Sequence, residues 1–143
     1  MSTRLRIAAV LTVALTACAA AQPTAEPAAF PLDVDLQWTG TEIGGTRKHG
    51  PGEPDRYTLR FEASGRAAIR LDCNRGAARW TRDGAKFTLS PIAGTKMNCP
   101  RGSLDVVYAG DFSRVDGWRL DGAALLLTGS VDDSAMRFVP AKP

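Results

Sequence analysis

Apolar and polar residues alternate with period two along most of the chain beyond residue 55, which predicts short strands half-buried on one face. Tyr57, Leu59 and Phe61 share one face between Asp55 and Glu62, while Thr58, Arg60 and Glu62 share the other. After a turn at Ala63-Ser64-Gly65, the run from Arg66 to Cys73 turns Ile69, Leu71 and Cys73 inward. Ala78 and Trp80 alternate with Arg79 and Thr81 in the run from Arg75 to Arg82, and Phe87 and Leu89 share a face between Ala85 and Ser90. Asp83-Gly84 between these two runs predicts a tight hairpin of type I′. Later runs carry Trp118 and Leu120, then Leu125 and Leu127, then Met136 and Phe138, with Asp121-Gly122 as a second hairpin signal. Residues 102–113 break the pattern: Leu104, Val107, Tyr108 and Phe112 make a helical stripe. Ser103 can cap that helix and Asp105 suits the positive end of its dipole, although the β-branched pair Val106-Val107 also admits a strand. The expected fold is a β-rich α+β domain, with seven or eight short antiparallel strands curled into a barrel-like sheet and one helix.

The first thirty residues have a different character. Arg4 and Arg6 precede an apolar run from Ile7 to Ala17 broken only by Thr12 and Thr16. This is the layout of a secretory signal peptide, and the run is too short for a membrane span of about 20 residues. Leu15-Thr16-Ala17-Cys18 resembles the lipobox of bacterial lipoproteins. The resemblance implies cleavage before Cys18, thioether attachment of lipid to its sulfur, and acylation of the new amino terminus. An ordinary signal peptide cut near Ala19-Ala20-Ala21 is the alternative. One chain binds a membrane only marginally, each buried CH₂ contributing about 0.8 kcal/mol, whereas two or three acyl chains (palmitate-like) anchor it stably. Ala19 follows the anchor where an aspartate would retain a Gram-negative lipoprotein at the inner membrane, so the expected location is the outer membrane, facing the periplasm. The chain thus divides into a signal peptide (1–17), a lipid-anchored Ala/Pro-rich tether (18–32) and one domain (33–140), whose size suits a single core.

Charge adds an exclusion. The whole chain has 18 basic and 15 acidic residues, but the signal peptide removes Arg4 and Arg6 and no acid, leaving 16 against 15. The remaining arginines are scattered among acids, so nothing points to nucleic acid as a partner. Of three cysteines, Cys18 is taken by lipid. Cys73 and Cys99 remain as an even pair in an oxidising compartment, for which a disulfide is the default. A zinc site would need more ligands than these two and His49, and a redox pair is more often Cys-x-x-Cys.

A family resemblance enters here. Leu59-Arg60-Phe61 leads through Gly65-Arg66 to Cys73-Asn74-Arg75; then come the Trp80 run, Gly94-Thr95-Lys96-Met97-Asn98-Cys99-Pro100, a short helical stretch, and the tail Leu120 … Leu125-Leu126-Leu127 … Met136-Arg137-Phe138. This resembles the META domain, also called the HslJ-like domain, over residues 33–140. The resemblance implies a small β-rich α/β fold in envelope proteins, some linked to heat shock or antibiotic tolerance, with no catalytic mechanism. Leu71-Asp72 stand where the family has glycine and small residues, Gly76 comes early, and Asp105 takes the place of a helix glutamate.

Chemistry in the residues themselves is sparse. There is no nucleophile elbow, phosphate-binding loop, dinucleotide glycine pattern or His-Glu-x-x-His, so no catalytic residue, metal or cofactor is expected. His49, the only histidine, sits in Thr46-Arg47-Lys48-His49-Gly50-Pro51-Gly52, which reads as a loop with a solvated histidine. The acidic pairs Asp132-Asp133 and Glu53/Asp55 read as solvated caps rather than calcium ligands. A disulfide would gather Asn74, Arg75, Lys96 and Asn98 into one patch. It is either a polar binding surface or a turn in which the asparagines satisfy backbone groups. Trp38, Trp80 and Trp118 read as core, with a ligand pocket as the alternative. The leading functional expectation is a non-enzymatic envelope lipoprotein acting by binding or in stress tolerance, with the membrane and an unidentified protein or small ligand as partners. The rivals are a periplasmic inhibitor of a hydrolase such as lysozyme, inserting residues Arg47 to Arg56 into an enzyme cleft, and a small-ligand carrier with a cavity between the tryptophans.

Overall fold

The computed structural model describes residues 29–142; the expected signal peptide, Cys18 and most of the expected tether lie outside the described residues. Ten strands and one helix follow in chain order. They are β1 (Leu36–Ile43), β2 (Thr46–His49), β3 (Tyr57–Phe61), β4 (Arg66–Leu71), β5 (Asn74–Asp83), β6 (Lys86–Leu89) and β7 (Ala93–Gly94). Then come α1 (Asp105–Asp111), β8 (Gly117–Asp121), β9 (Ala124–Gly129) and β10 (Ser134–Pro140). All strand pairs are antiparallel, and the sheet order β10-β9-β8-β6-β5-β4-β3-β1 closes on itself because β1 also pairs with β10 from Leu36↔Pro140 to Ile43↔Ser134. Eight strands therefore form a ring, as the expected barrel-like sheet requires. β2 and β7 are short additions alongside β1 and β5.

The alternating residues do the expected work. Leu59, Phe61, Ile69, Leu71, Ala78, Trp80, Phe87, Leu125, Leu127, Met136 and Phe138 all point into one core. Trp38 and Trp80 belong to it and Trp118 packs against it, so among the described residues the tryptophans pack as core with their neighbours' side chains between them. The helix starts later than its apolar stripe suggests. Leu104 is the residue before it, and Ser103 Oγ accepts the Asp105 N–H at 3.2 Å. Tyr108 and Phe112 are buried, while Val107 is left exposed and Asp111 is buried instead.

The hairpins are built differently from the expectation. Their central residues are Gly84-Ala85 and Gly122-Ala123, and only the glycines take positive φ, 56° and 59°. That is the pattern of type II′, with glycine first, rather than I′. The one hairpin whose two central residues are both at positive φ is Gly44-Gly45, between β1 and β2 (55° and 71°).

The barrel has two distinct ends. At one end Phe30, the residue where the described chain begins to pack, stacks on Trp80 and meets Trp118 edge-on, with centroids 5.1 and 4.9 Å away, and the Arg82 guanidinium lies 5.2 Å over its ring. At the other end α1 closes the opening with Tyr108, stacked on Trp38 at 4.7 Å and edge-on to Tyr57. Phe30 and the helix thus cap opposite mouths of the ring.

Candidate functional site: a groove at the open seam

The ring is weakest between β6 and β8, which share a single register pair, Lys86↔Gly117, reinforced by Phe87 N–H to Asp116 O and Trp118 N–H to Ala85 O, each 3.0 Å. Beyond that point the edge running on through β7 and residues 95–99 has no neighbouring strand. Between this strap and α1 lies an open groove of about 560 Å³, lined by Leu71, Asn74, Ile92, residues 94–99, Asp105, Val106 and Ala109.

Local chemistry holds the strap in place. Asp72 and Cys73 form the two-residue turn between β4 and β5, with Asp72 at φ 58°. Here an aspartate occupies the left-handed conformation that glycine would take most easily, which aspartate tolerates better than most residues. It is held there by an ion pair to Arg56 and by its own N–H donating to Arg56 O at 2.8 Å. Glu53, hydrogen-bonded to the same guanidinium, and then Asp72 keep the Arg56 pKa raised. Cys73 and Cys99 are disulfide-bonded, with Cα atoms 5.5 Å apart, so the turn and the strap are covalently joined. Asn74 is buried. Its Oδ1 accepts from Met97 N–H at 2.8 Å and Thr95 Oγ1 at 3.0 Å, while Nδ2 donates to Met97 O at 3.0 Å and to Asp105 Oδ2 at 3.3 Å. In effect its amide plays the part of a missing strand residue for Met97.

The structure therefore brings Asn74, Lys96 and Asn98 to one groove and leaves Arg75 out. The Arg75 side chain sits on the outer surface of β3–β5, near Arg60 and Arg70, because it alternates with Asn74 along the strand. Asn74 acts as a buried staple. Lys96 and Asn98 are exposed at the mouth, with Met97 at 57% and Val106 at 77% exposure.

His49 corrects the sequence expectation. Thr46–His49 is strand rather than loop, and His49 Nε2 lies 2.6 Å from Asp111 Oδ2. The Asp111 side chain, only 3% exposed, also accepts from Thr41 Oγ1 at 2.6 Å and binds Arg114 at 2.9 Å, and Trp38 Nε1 donates to Thr41 at 3.2 Å. The network ties β1, β2 and α1 together. A charged residue on the buried face of α1, one turn from Tyr108, was its sequence signal, but its partner lies 62 residues away. No hydroxyl or thiol nucleophile is placed beside His49 by these bonds, since the one hydroxyl in the network, Thr41, is buried and donates to the same carboxylate. The segment 47–56 is likewise tied down, with Arg47 donating to Thr39 O at 2.7 Å and Pro54–Arg56 forming a single helical turn. Glu53 and Asp132 are engaged by Arg56 and Arg114, and no cluster of three potential metal ligands occurs among the described residues.

The META domain pattern matches residues 31–143. The chain belongs to the META domain family. No curated protein matches it. Among solved structures, this META domain is similar to a protein from Burkholderia xenovorans determined by NMR, at 20% identity and a TM-score of 0.60 over 85% of this chain and 98% of that one. It is also similar to the crystal structure of a DUF4847 family protein from Bacteroides vulgatus, at 15% identity and a TM-score of 0.60 over 78% and 95% of the two chains. At such identities these likenesses concern the fold.

Proposed function

We propose that this META domain is a non-catalytic binding module of the bacterial envelope, carried on a lipid at Cys18 and serving stress tolerance by holding a partner in the groove between residues 92–99 and α1. The observation that carries the reading is the groove itself. It exposes Lys96, Met97, Asn98 and Val106 at its mouth over a floor of Leu71 and Asn74, whereas the barrel interior is filled and offers a carrier no room. The inhibitor reading is less well supported, because residues 47–56 are bonded back onto the barrel instead of projecting.

The test is complementation of a deletion strain challenged with detergent and cell-wall antibiotics. Intact mass should show a chain beginning at Cys18 and carrying acyl chains. Wild type should restore survival, and Cys18→Ser or the groove-blocking Val106→Arg should not, although both accumulate as folded protein. Full rescue by Val106→Arg, or no defect in the deletion strain, would overturn the proposal.

A further inference from the structure

The strap's backbone has an alternation that its side chains do not reveal. Thr95 N–H donates to Arg75 O at 3.0 Å, and Met97 turns both its N–H and its C=O toward Asn74. In an extended segment successive residues direct their peptide groups to opposite edges. The N–H and C=O groups of Lys96 and Asn98 therefore face away from β5, where no hydrogen bond engages them among the described residues. These groups make an unpaired backbone edge in the segment that follows β7, and it continues the seam at which β6 and β8 meet through one pair only. Such edges accept an added strand when a neighbouring pocket takes alternate side chains. Ile92, Leu71 and Ala109 supply the apolar part of that pocket. Charge selects the occupant. The half-buried Asp105 is turned to Asn74 and Ser103, and the exposed Lys96 has no carboxylate within ion-pair distance among the described residues, so the outer mouth presents a cation free to pair with a ligand.

From this we infer that the groove takes an extended peptide from a partner protein, paired as a strand against Lys96 and Asn98, with small apolar side chains inward and a carboxylate toward Lys96. The inference rests on the groove reading above and names its ligand class.

The probe is acetyl-Val-Ala-Val-Glu-Val-amide titrated into the folded domain by NMR. Two twins are N-methylated on alternate amides, one in each phase, and a third twin has lysine in place of glutamate. The parent should slow exchange of the Lys96 and Asn98 amide protons while leaving Arg119, on β8, unmoved. One methylated twin should bind like the parent and the other at least tenfold more weakly. The lysine twin should bind about fivefold more weakly than the parent, and Lys96→Glu should reverse that preference. If both methylated twins match the parent, the groove takes side chains alone; the added strand falls and the groove reading survives. Absence of any parent binding overturns the peptide assignment, whereas rescue by Val106→Arg in cells overturns the groove reading itself. A dimer that the peptide dissociates would replace the partner peptide with a second copy of this chain.

Discussion

Two tyrosines in one core should respond to the same substitution with opposite signs. Tyr108 is fully buried among Trp38, Tyr57, Phe112 and Phe138, and its hydroxyl has no hydrogen-bond partner. Burying an unsatisfied hydroxyl costs about 1–3 kcal/mol, and the void left by one oxygen returns only a few tenths of that. Tyr108→Phe should therefore stabilise the domain by about 0.5–2 kcal/mol, raising Tm by roughly 2–8 °C at this size. Tyr57 is the control, because its hydroxyl accepts the Leu104 N–H at 2.8 Å just before α1. Tyr57→Phe orphans that N–H and should cost about 1–2 kcal/mol. The pH dependence adds a signature. Burial pushes the Tyr108 pKa well above its ordinary value, so the folded state holds its proton after the unfolded chain has lost it. This adds no pH-dependent cost below about pH 10; above that pH the stability of the domain declines by up to about 1.4 kcal/mol per unit, until the folded-state pKa is passed. Urea unfolding of the wild type should steepen in pH dependence there, and Tyr108→Phe should remove that component. A Tyr108→Phe variant destabilised by more than 1 kcal/mol would refute the reasoning, by showing that the hydroxyl is satisfied.

Three further outcomes follow from the same geometry. Reducing Cys73–Cys99, which closes a separation of 26 residues, should cost about 3.5 kcal/mol in the chain-entropy treatment, read as a lowered urea midpoint with and without reductant. Asp111→Ala should cost about 2–3 kcal/mol, because His49, Thr41 and Arg114 lose their common acceptor; an unchanged midpoint would show that the network contributes nothing to stability. Gly94→Ala should unseat the strap and speed amide exchange at Met97, since a Cβ there would press on Arg75 O and lie 2.6 Å from Gly76 Cα.

Much of the barrel could be read from the sequence because half-buried strands write their geometry into alternating residues; the faces from Tyr57 to Phe61 and from Met136 to Phe138 needed nothing else. The Cys73–Cys99 bond was likewise legible, since only two cysteines remain once Cys18 is set aside. What escaped depends on long-range partners. β1 was missed although Leu36 and Trp38 alternate, because its pattern breaks at Gly40 and Thr41, where the inward position goes to a hydroxyl that serves Asp111. Gly44-Gly45 was a readable hairpin signal for β1–β2, and the charged run behind it hid the strand. Arg75 could not be separated from the groove by sequence proximity, because a step of one residue along a strand reverses the face.

The β1–β10 pairing has a consequence in time. It joins Leu36 to Pro140, so the ring cannot close until nearly the whole chain exists. A polypeptide made from its amino terminus can pair β1 with β2 and β3 early, but the stretch of β1 that faces β10 stays unmatched until the last strand is made, and pairings of such wide sequence separation form slowly. Late closure makes the β1–β10 seam the last part of the ring to be sealed, whatever order the hairpins before it take.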